Sequence, residues 1–239
     1  MTEGGPVRRR VVVTGAMGSI GRAITPSLVD RWDLHLTDAR SSDAATRLDV
    51  TDAEACRTAF AGADAVVHLA AVPDPEAGWE ALLPSNVVGA YQVAQAAADC
   101  GVRRLVLASS LQAVSGYPEG RQVRADDPPR PANLYGATKA WAEAVGAWVA
   151  SSSSTSVVAL RIGYFAPQPP TGDDATARDL AAWLSPRDCA ELVRASVEAD
   201  VSGFLVANGT SANRYRFADL SDTESALGYR PTDDAWSVV

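Results

Sequence analysis

Val11-Val12-Val13-Thr14-Gly15-Ala16-Met17-Gly18-Ser19-Ile20-Gly21 is the stretch that decides the fold. Three consecutive β-branched apolar residues read as a short strand buried on both faces. Gly15, Gly18 and Gly21 then lead into a predicted helix over 19–31, with Pro26 weakening its middle. The loop is one residue longer between its first two glycines than G-x-G-x-x-G, but the physics is the same. A tight turn lets backbone approach a pyrophosphate, and the free N–H groups of the helix start favour phosphate. The plain alternative is an ordinary strand-to-helix turn. Its position after the first buried run favours a dinucleotide site carried by Gly15, Met17, Gly18, Ser19, Ile20 and Gly21.

Outward from this loop, apolar runs at 34–37, 45–50, 64–71, 102–108, 157–162 and 204–207 predict further strands. Helical patterns fall at 52–60, 79–100, 133–150, 186–199 and 219–227. Alternation of this kind predicts an α/β fold: a Rossmann-type doubly wound parallel sheet with helices on both faces. The expected organisation is a single domain over 1–239, with a dinucleotide-binding core at 1–162. Residues 163–239 would be a small, mainly substrate-covering part with some added sheet and helix. Met1–Pro6 reads as a flexible leader. Ligands of such sheets bind beyond the carboxyl ends of the strands, so Gly15, Asp38, Ala70, Ser110 and Gly163 should converge on one crevice.

Composition narrows the partners. With 21 Lys and Arg against 29 Asp and Glu, the net charge of −8 argues against nucleic acid or an anionic membrane. Three scattered cysteines, Cys56, Cys100 and Cys189, fit a reducing compartment and argue against a disulfide framework or a metal site. Neither a membrane-length apolar run nor a signal-peptide core is evident, so the cytoplasm is the default expectation. His35 and His68 lie in apolar strands and read as structural, and the six tryptophans read as core or interface.

The chemistry is carried by a small set of positions beyond the loop. Asp38, 17 residues after Gly21, could accept hydrogen bonds from the adenosine ribose and would repel a 2′-phosphate. It favours NAD over NADP, with Arg40 as a complication; a turn aspartate is the plain alternative. Asp49-Val50 would contact the adenine edge or cap a helix. Tyr135 and Lys139 are four apart and so share a helix face. A tyrosine titrates near pH 10, and a neighbouring ammonium with a nicotinamide charge would bring it toward working range. Ser110, at a strand end, would hold the oxygen on which Tyr135 acts. A surface Tyr/Lys pair and a strand-terminating serine are the plain readings.

Together, the loop 14–21, Asp38, Asp49, His68-Leu69-Ala70-Ala71, Asn86-Val87-Val88-Gly89, Ser109-Ser110, Tyr135-x-x-x-Lys139 and Leu227-Gly228-Tyr229-Arg230-Pro231 resemble the extended short-chain dehydrogenase/reductase family. The resemblance implies NAD(P)-dependent dehydrogenation, epimerisation or dehydration, mostly of sugars. It adds Val50, Leu69, Ala70, Ala71, Asn86 and Ile162 to the cofactor contacts. Within that family the chain is most similar to uronate dehydrogenases, through its length, Arg161-Ile162-Gly163 and the segment 178–185. This implies that Arg178 clamps a substrate carboxylate, with Gln112 and Tyr164 shaping the pocket. Departures from those enzymes are Leu111-Gln112 for Asn-His, Tyr164 for a small polar residue, Pro73 for serine, and a longer loop with Asp173-Asp174. The expectation is an NAD-dependent oxidoreductase acting on a small, carboxylated, sugar-like substrate. A redox-neutral NAD-retaining epimerase or dehydratase, a specialised biosynthetic enzyme, and a non-catalytic NAD-binding regulator stay open beside it. Relatives often pair through the helices at 79–100 and 133–150, so a homodimer is one expectation and a monomer the other.

Overall fold

The structure is a computed structural model and describes residues 8–40, 42–118, 120–172 and 175–237. The leader Met1–Pro6 and the pair Asp173-Asp174 lie outside the described residues. The chain starts with β1 (Arg10–Thr14), α1 (Ser19–Leu28), β2 (Asp33–Asp38), β3 (Thr46–Arg47), α2 (Ala53–Phe60) and β4 (Ala65–His68). It continues through α3 (Trp79–Leu82), a π-helical segment Leu83–Gly89, α4 (Ala90–Asp99), β5 (Arg104–Ser110), a 3₁₀ turn Leu111–Val114 and α5 (Leu134–Ser152). Then follow β6 (Ser156–Ile162), β7 (Tyr164–Phe165), α6 (Ala177–Ala182), β8 (Trp183–Leu184), α7 (Pro186–Glu198), β9 (Phe204–Gly209) and α8 (Ser221–Leu227).

Seven strands form one sheet in the order β3-β2-β1-β4-β5-β6-β9, and each pairing in it is parallel. Side chains alternate across it. Val11 and Val13 of β1 join Val106, Val158 and Leu160 in a core beneath α1, α7 and α8. Val12 joins Val66, Leu105, Leu107 and Val157 beneath α2, α4 and α5. Burial on both faces is what a run of β-branched residues such as Val11-Val12-Val13 encodes. The expected doubly wound Rossmann-type sheet is therefore the observed one, and the order reverses between β1 and β4, the switch point at which ligands bind.

Several expectations shift in detail. The helix over 19–31 stops at Leu28, with Pro26 inside it. The strand over 45–50 shrinks to Thr46–Arg47 because Leu48 N–H bonds the Asp38 carbonyl and the chain then turns into α2, which Asp52 caps. The single helix over 79–100 is broken by the π-helical segment, which has Pro84 in its first turn. The strand over 102–108 runs instead from Arg104 to Ser110, so that Ser109 and Ser110 end it as expected. β7 and β8 pair with each other in a small second sheet, at two stretches where no strand is expected.

Candidate active site

The glycine loop crosses the carboxyl end of β1. Gly15 has φ +69°, and a Cβ there would sit 2.5 Å from the Ala70 nitrogen; at Gly21 it would sit 2.5 Å from the Ala16 carbonyl oxygen. Both positions need glycine for close backbone packing. At Gly18 a Cβ would meet only the Gly15 carbonyl oxygen, at 3.2 Å. Gly18 is also the N-cap of α1, which has no side-chain cap and no acidic residue in its first turn. An uncapped ten-residue helix start beside a backbone cradle fits a pyrophosphate. Asp38 is buried at the end of β2, where its carboxylate accepts the N–H groups of Met17 (3.0 Å) and Arg40 (3.2 Å). The Arg40 guanidinium leans on it from solvent at 3.5 Å. The carboxylate is thus tied to the glycine loop. Asp49 is exposed and accepts Thr51 N–H and Oγ1–H, which hold its carboxyl below the usual range; Val50 is buried.

On the far side of the switch point, Leu69 and Ala71 follow β4 and line a cavity of about 410 Å³ with Ser110, Gln112, Tyr135, Lys139, Ile162, Tyr164 and Arg178. Asn86 does not line it. Its side chain is buried in the π-helical segment, where it accepts Val72 N–H (2.8 Å) and donates to Val72 O (3.1 Å) and Thr138 Oγ1 (3.2 Å). Asn86 thereby clamps the loop after β4 to the helix that carries Lys139. π-Helical turns are often found where a side chain must be re-aimed at a functional site.

Tyr135 and Lys139 come from the first turns of α5, which Asn133 caps by accepting Gly136 N–H. Lys139 is buried, donates to the Ala108 carbonyl at 2.9 Å, and stands 5.5 Å from the Tyr135 ring centroid. Desolvation pulls its pKa down to about 8. Burial pushes Tyr135 up, and the neighbouring Ser110 hydroxyl partly offsets that. Among the chain's own groups burial dominates and leaves Tyr135 raised, whereas the expected lowering of the phenol joins the nicotinamide charge to that of Lys139. His68 is buried with Nδ1 2.7 Å from Thr14 Oγ1, and burial followed by the Lys139 charge lowers its pKa to about 3, so it stays neutral.

Sequence reading missed a buried layer behind this trio. Glu143 accepts Ser109 Oγ–H (2.6 Å) and a two-pronged pair from Arg161 (both 2.9 Å). Arg161 Nη1 reaches the carbonyls of Ala125 (3.4 Å) and Asp127 (3.1 Å). At the substrate end, Arg178 on α6 stacks on Phe217 (4.4 Å to the ring centroid) and donates to the Ser115 carbonyl at 2.8 Å. Phe217 arrives through its N–H bond to Ala181 O, a long-range contact with no local sequence signal.

A glycine loop at an uncapped helix start, an acidic residue ending β2 and a Ser/Tyr/Lys cluster on a parallel sheet are the features of a nicotinamide-dinucleotide enzyme. Comparison with known proteins makes the class specific. Residues 11–185 match the model of the NAD-dependent epimerase/dehydratase family, and the chain belongs to that family. It is 36% identical to L-arabinose 1-dehydrogenase (NAD(P)(+)) of Haloferax volcanii over 96% of this chain and 99% of that protein. It is 35% identical to NAD-dependent glucose-6-phosphate dehydrogenase of the same organism, over 94% of each. The crystal structure of uronate dehydrogenase from Agrobacterium tumefaciens superposes with a TM-score of 0.87 at 32% identity, covering 96% of this chain and 86% of that one.

Proposed function

We propose that the chain is an NAD-dependent dehydrogenase that oxidises a hydroxyl carbon of a small sugar acid, with Tyr135 as the base. The observation carrying this is the convergence of Ser110, Tyr135 and buried Lys139 on one cavity that also holds Arg178. The loop 15–21 would hold the pyrophosphate, Asp38 the adenosine ribose, and Leu69–Ala71, Lys139 and Ile162 the nicotinamide riboside. Bound NAD supplies the acceptor for the substrate's hydride and a positive ring that favours phenolate. Tyr135 then removes the hydroxyl proton while Ser110 fixes the oxygen, and the C–H electron pair leaves carbon as the carbonyl forms. Lys139 holds the nicotinamide ribose and adds its charge beside Tyr135. Asp49 and Val50 would border the adenine, while Asn86 acts by clamping Val72.

Arg178 decides the substrate class. Its fork suits a carboxylate or phosphate, and its Nε and Nη1 make no hydrogen bond among the described residues beyond the stack on Phe217. A neutral aldose is the second reading, favoured by the partial engagement of the same guanidinium with Ser115 O and Phe217. NADH formation with glucuronate, galacturonate, L-arabinose and glucose 6-phosphate, for wild type and Arg178→Met, separates them. The sugar-acid reading expects a KM on uronate raised by roughly ten- to a hundredfold in the variant. Preference for L-arabinose with no effect of the substitution would move the assignment to the neutral sugar.

The reading also takes the chain as one domain, in which the segments after Ile162 cover the cavity while β9 extends the sheet. No described helix is long and apolar enough to cross a membrane, and a cytoplasmic location belongs to the proposal. Pairing of two copies through α3–α5 is supported by the exposed Trp79, Trp141 and Trp148.

A further inference from the structure

Gln112 stands in the cavity wall at the turn after β5, and nearly every polar atom it has is already committed. Its N–H donates to Ser110 Oγ (3.1 Å), and its carbonyl accepts Ser115 Oγ–H (3.0 Å). Its side-chain oxygen accepts Asn133 Nδ2–H at 2.9 Å. Only the side-chain nitrogen has no partner among the described residues, and Gln112 lines the cavity.

The orientation of this amide follows from chemistry. Asn133 is the N-cap of α5, and the Gly136 backbone N–H, which can only donate, points at it from 2.7 Å. The atom facing Gly136 must therefore be the Asn133 oxygen, so the atom facing Gln112 must be its NH2. A donor there requires Gln112 to present oxygen to Asn133 and leaves the Gln112 NH2 for the cavity. Backbone packing holds the pair together: a Cβ at Gly136 would lie 2.3 Å from the Gln112 carbonyl oxygen. The helix cap that positions Tyr135 thus also sets the polarity of the substrate wall.

We infer that Asn133 is a specificity-positioning residue that locks Gln112 as a pure donor, so that, with Arg178, the pocket reads an oxygen-acceptor substituent such as a carboxylate and disfavours a donor such as an amino group. This rests on the proposed dehydrogenase reading for its substrate but not for the lock. Arg178 is likewise donor-only, and Asp179, the one carboxylate among the described residues that line the cavity, turns its Oδ2 to the Thr176 N–H (3.2 Å) and hydroxyl (2.7 Å).

Asn133→Asp tests it, because aspartate caps a helix as well as asparagine yet offers Gln112 only acceptors. The amide must then flip and turn its carbonyl into the cavity. The expected result is a uronate KM raised roughly ten- to a hundredfold, with KM for NAD and the melting temperature held. The effect should vanish in a Gln112→Ala background, where no amide is left to flip. An unchanged uronate KM in Asn133→Asp, or an equal rise in both backgrounds, would overturn the lock. Absence of wild-type turnover on the whole sugar panel would sink the dehydrogenase reading instead. The lock is then decided by neutron diffraction: deuterium on the Gln112 side-chain atom facing the cavity supports it, and deuterium on the atom facing Asn133 refutes it.

Discussion

Replacing Lys139 with methionine should abolish turnover and stabilise the protein. Lys139 is 6% exposed, and burial lowers its pKa from 10.5 to about 8. The lowering from 10.5 to about 8, at about 1.36 kcal/mol per pH unit, is on the order of 3 kcal/mol of penalty for keeping the ammonium charged inside the fold. The bond from Nζ to Ala108 O offsets about 1.5–3 kcal/mol of that, leaving a net gain for Lys139→Met of up to about 1.5 kcal/mol at pH 7. The sign depends on pH. Between about 8 and 10.5 the unfolded chain still binds the proton that the folded chain has released, so wild-type stability rises with pH and the variant's advantage disappears. Urea titrations at pH 7 and pH 10, with equal m values as the check on two-state behaviour, measure this. A variant less stable than wild type at pH 7, or a difference that does not shrink at pH 10, would refute the reasoning.

The glycines of the phosphate loop should separate by mechanism. Gly21→Ala forces a Cβ to 2.5 Å from the Ala16 carbonyl oxygen and should cost about 1–3 kcal/mol of stability. Gly18→Ala, which meets only one oxygen at 3.2 Å, should melt like wild type but bind NAD more than about tenfold more weakly by calorimetry, because in the proposed site its Cβ would stand where the pyrophosphate approaches. Glu143→Gln breaks a pair that is 2% and 5% exposed and leaves Arg161 uncompensated, so a loss of about 3–5 kcal/mol is expected in denaturant titration.

The sheet and the cofactor half were legible because their signals are local. Val11-Val12-Val13 encodes burial on both faces, and the glycine spacing encodes close approach. The i,i+4 pair Tyr135/Lys139 encodes a shared helix face. What escaped depends on distant partners. Nothing near Asn86 says that its amide is needed by Val72 and Thr138, so the helix over 79–100 read as continuous through Pro84. β7 and β8 are two residues each and carry no periodicity. Glu143 and Arg161 lie 18 positions apart on a helix and a strand, and only the fold shows that they meet. Asn133 was visible as the first residue of a predicted helix, yet its second partner, Gln112, is 21 positions away and closes only in three dimensions.

The central claim is that Tyr135 moves the proton of an NAD-linked oxidation, and single-turnover absorbance at 340 nm with uronate and NAD tests it most directly. Wild type should form NADH, while Tyr135→Phe should bind NAD with unchanged affinity and form essentially none. NADH formation at the wild-type rate in Tyr135→Phe would contradict the account.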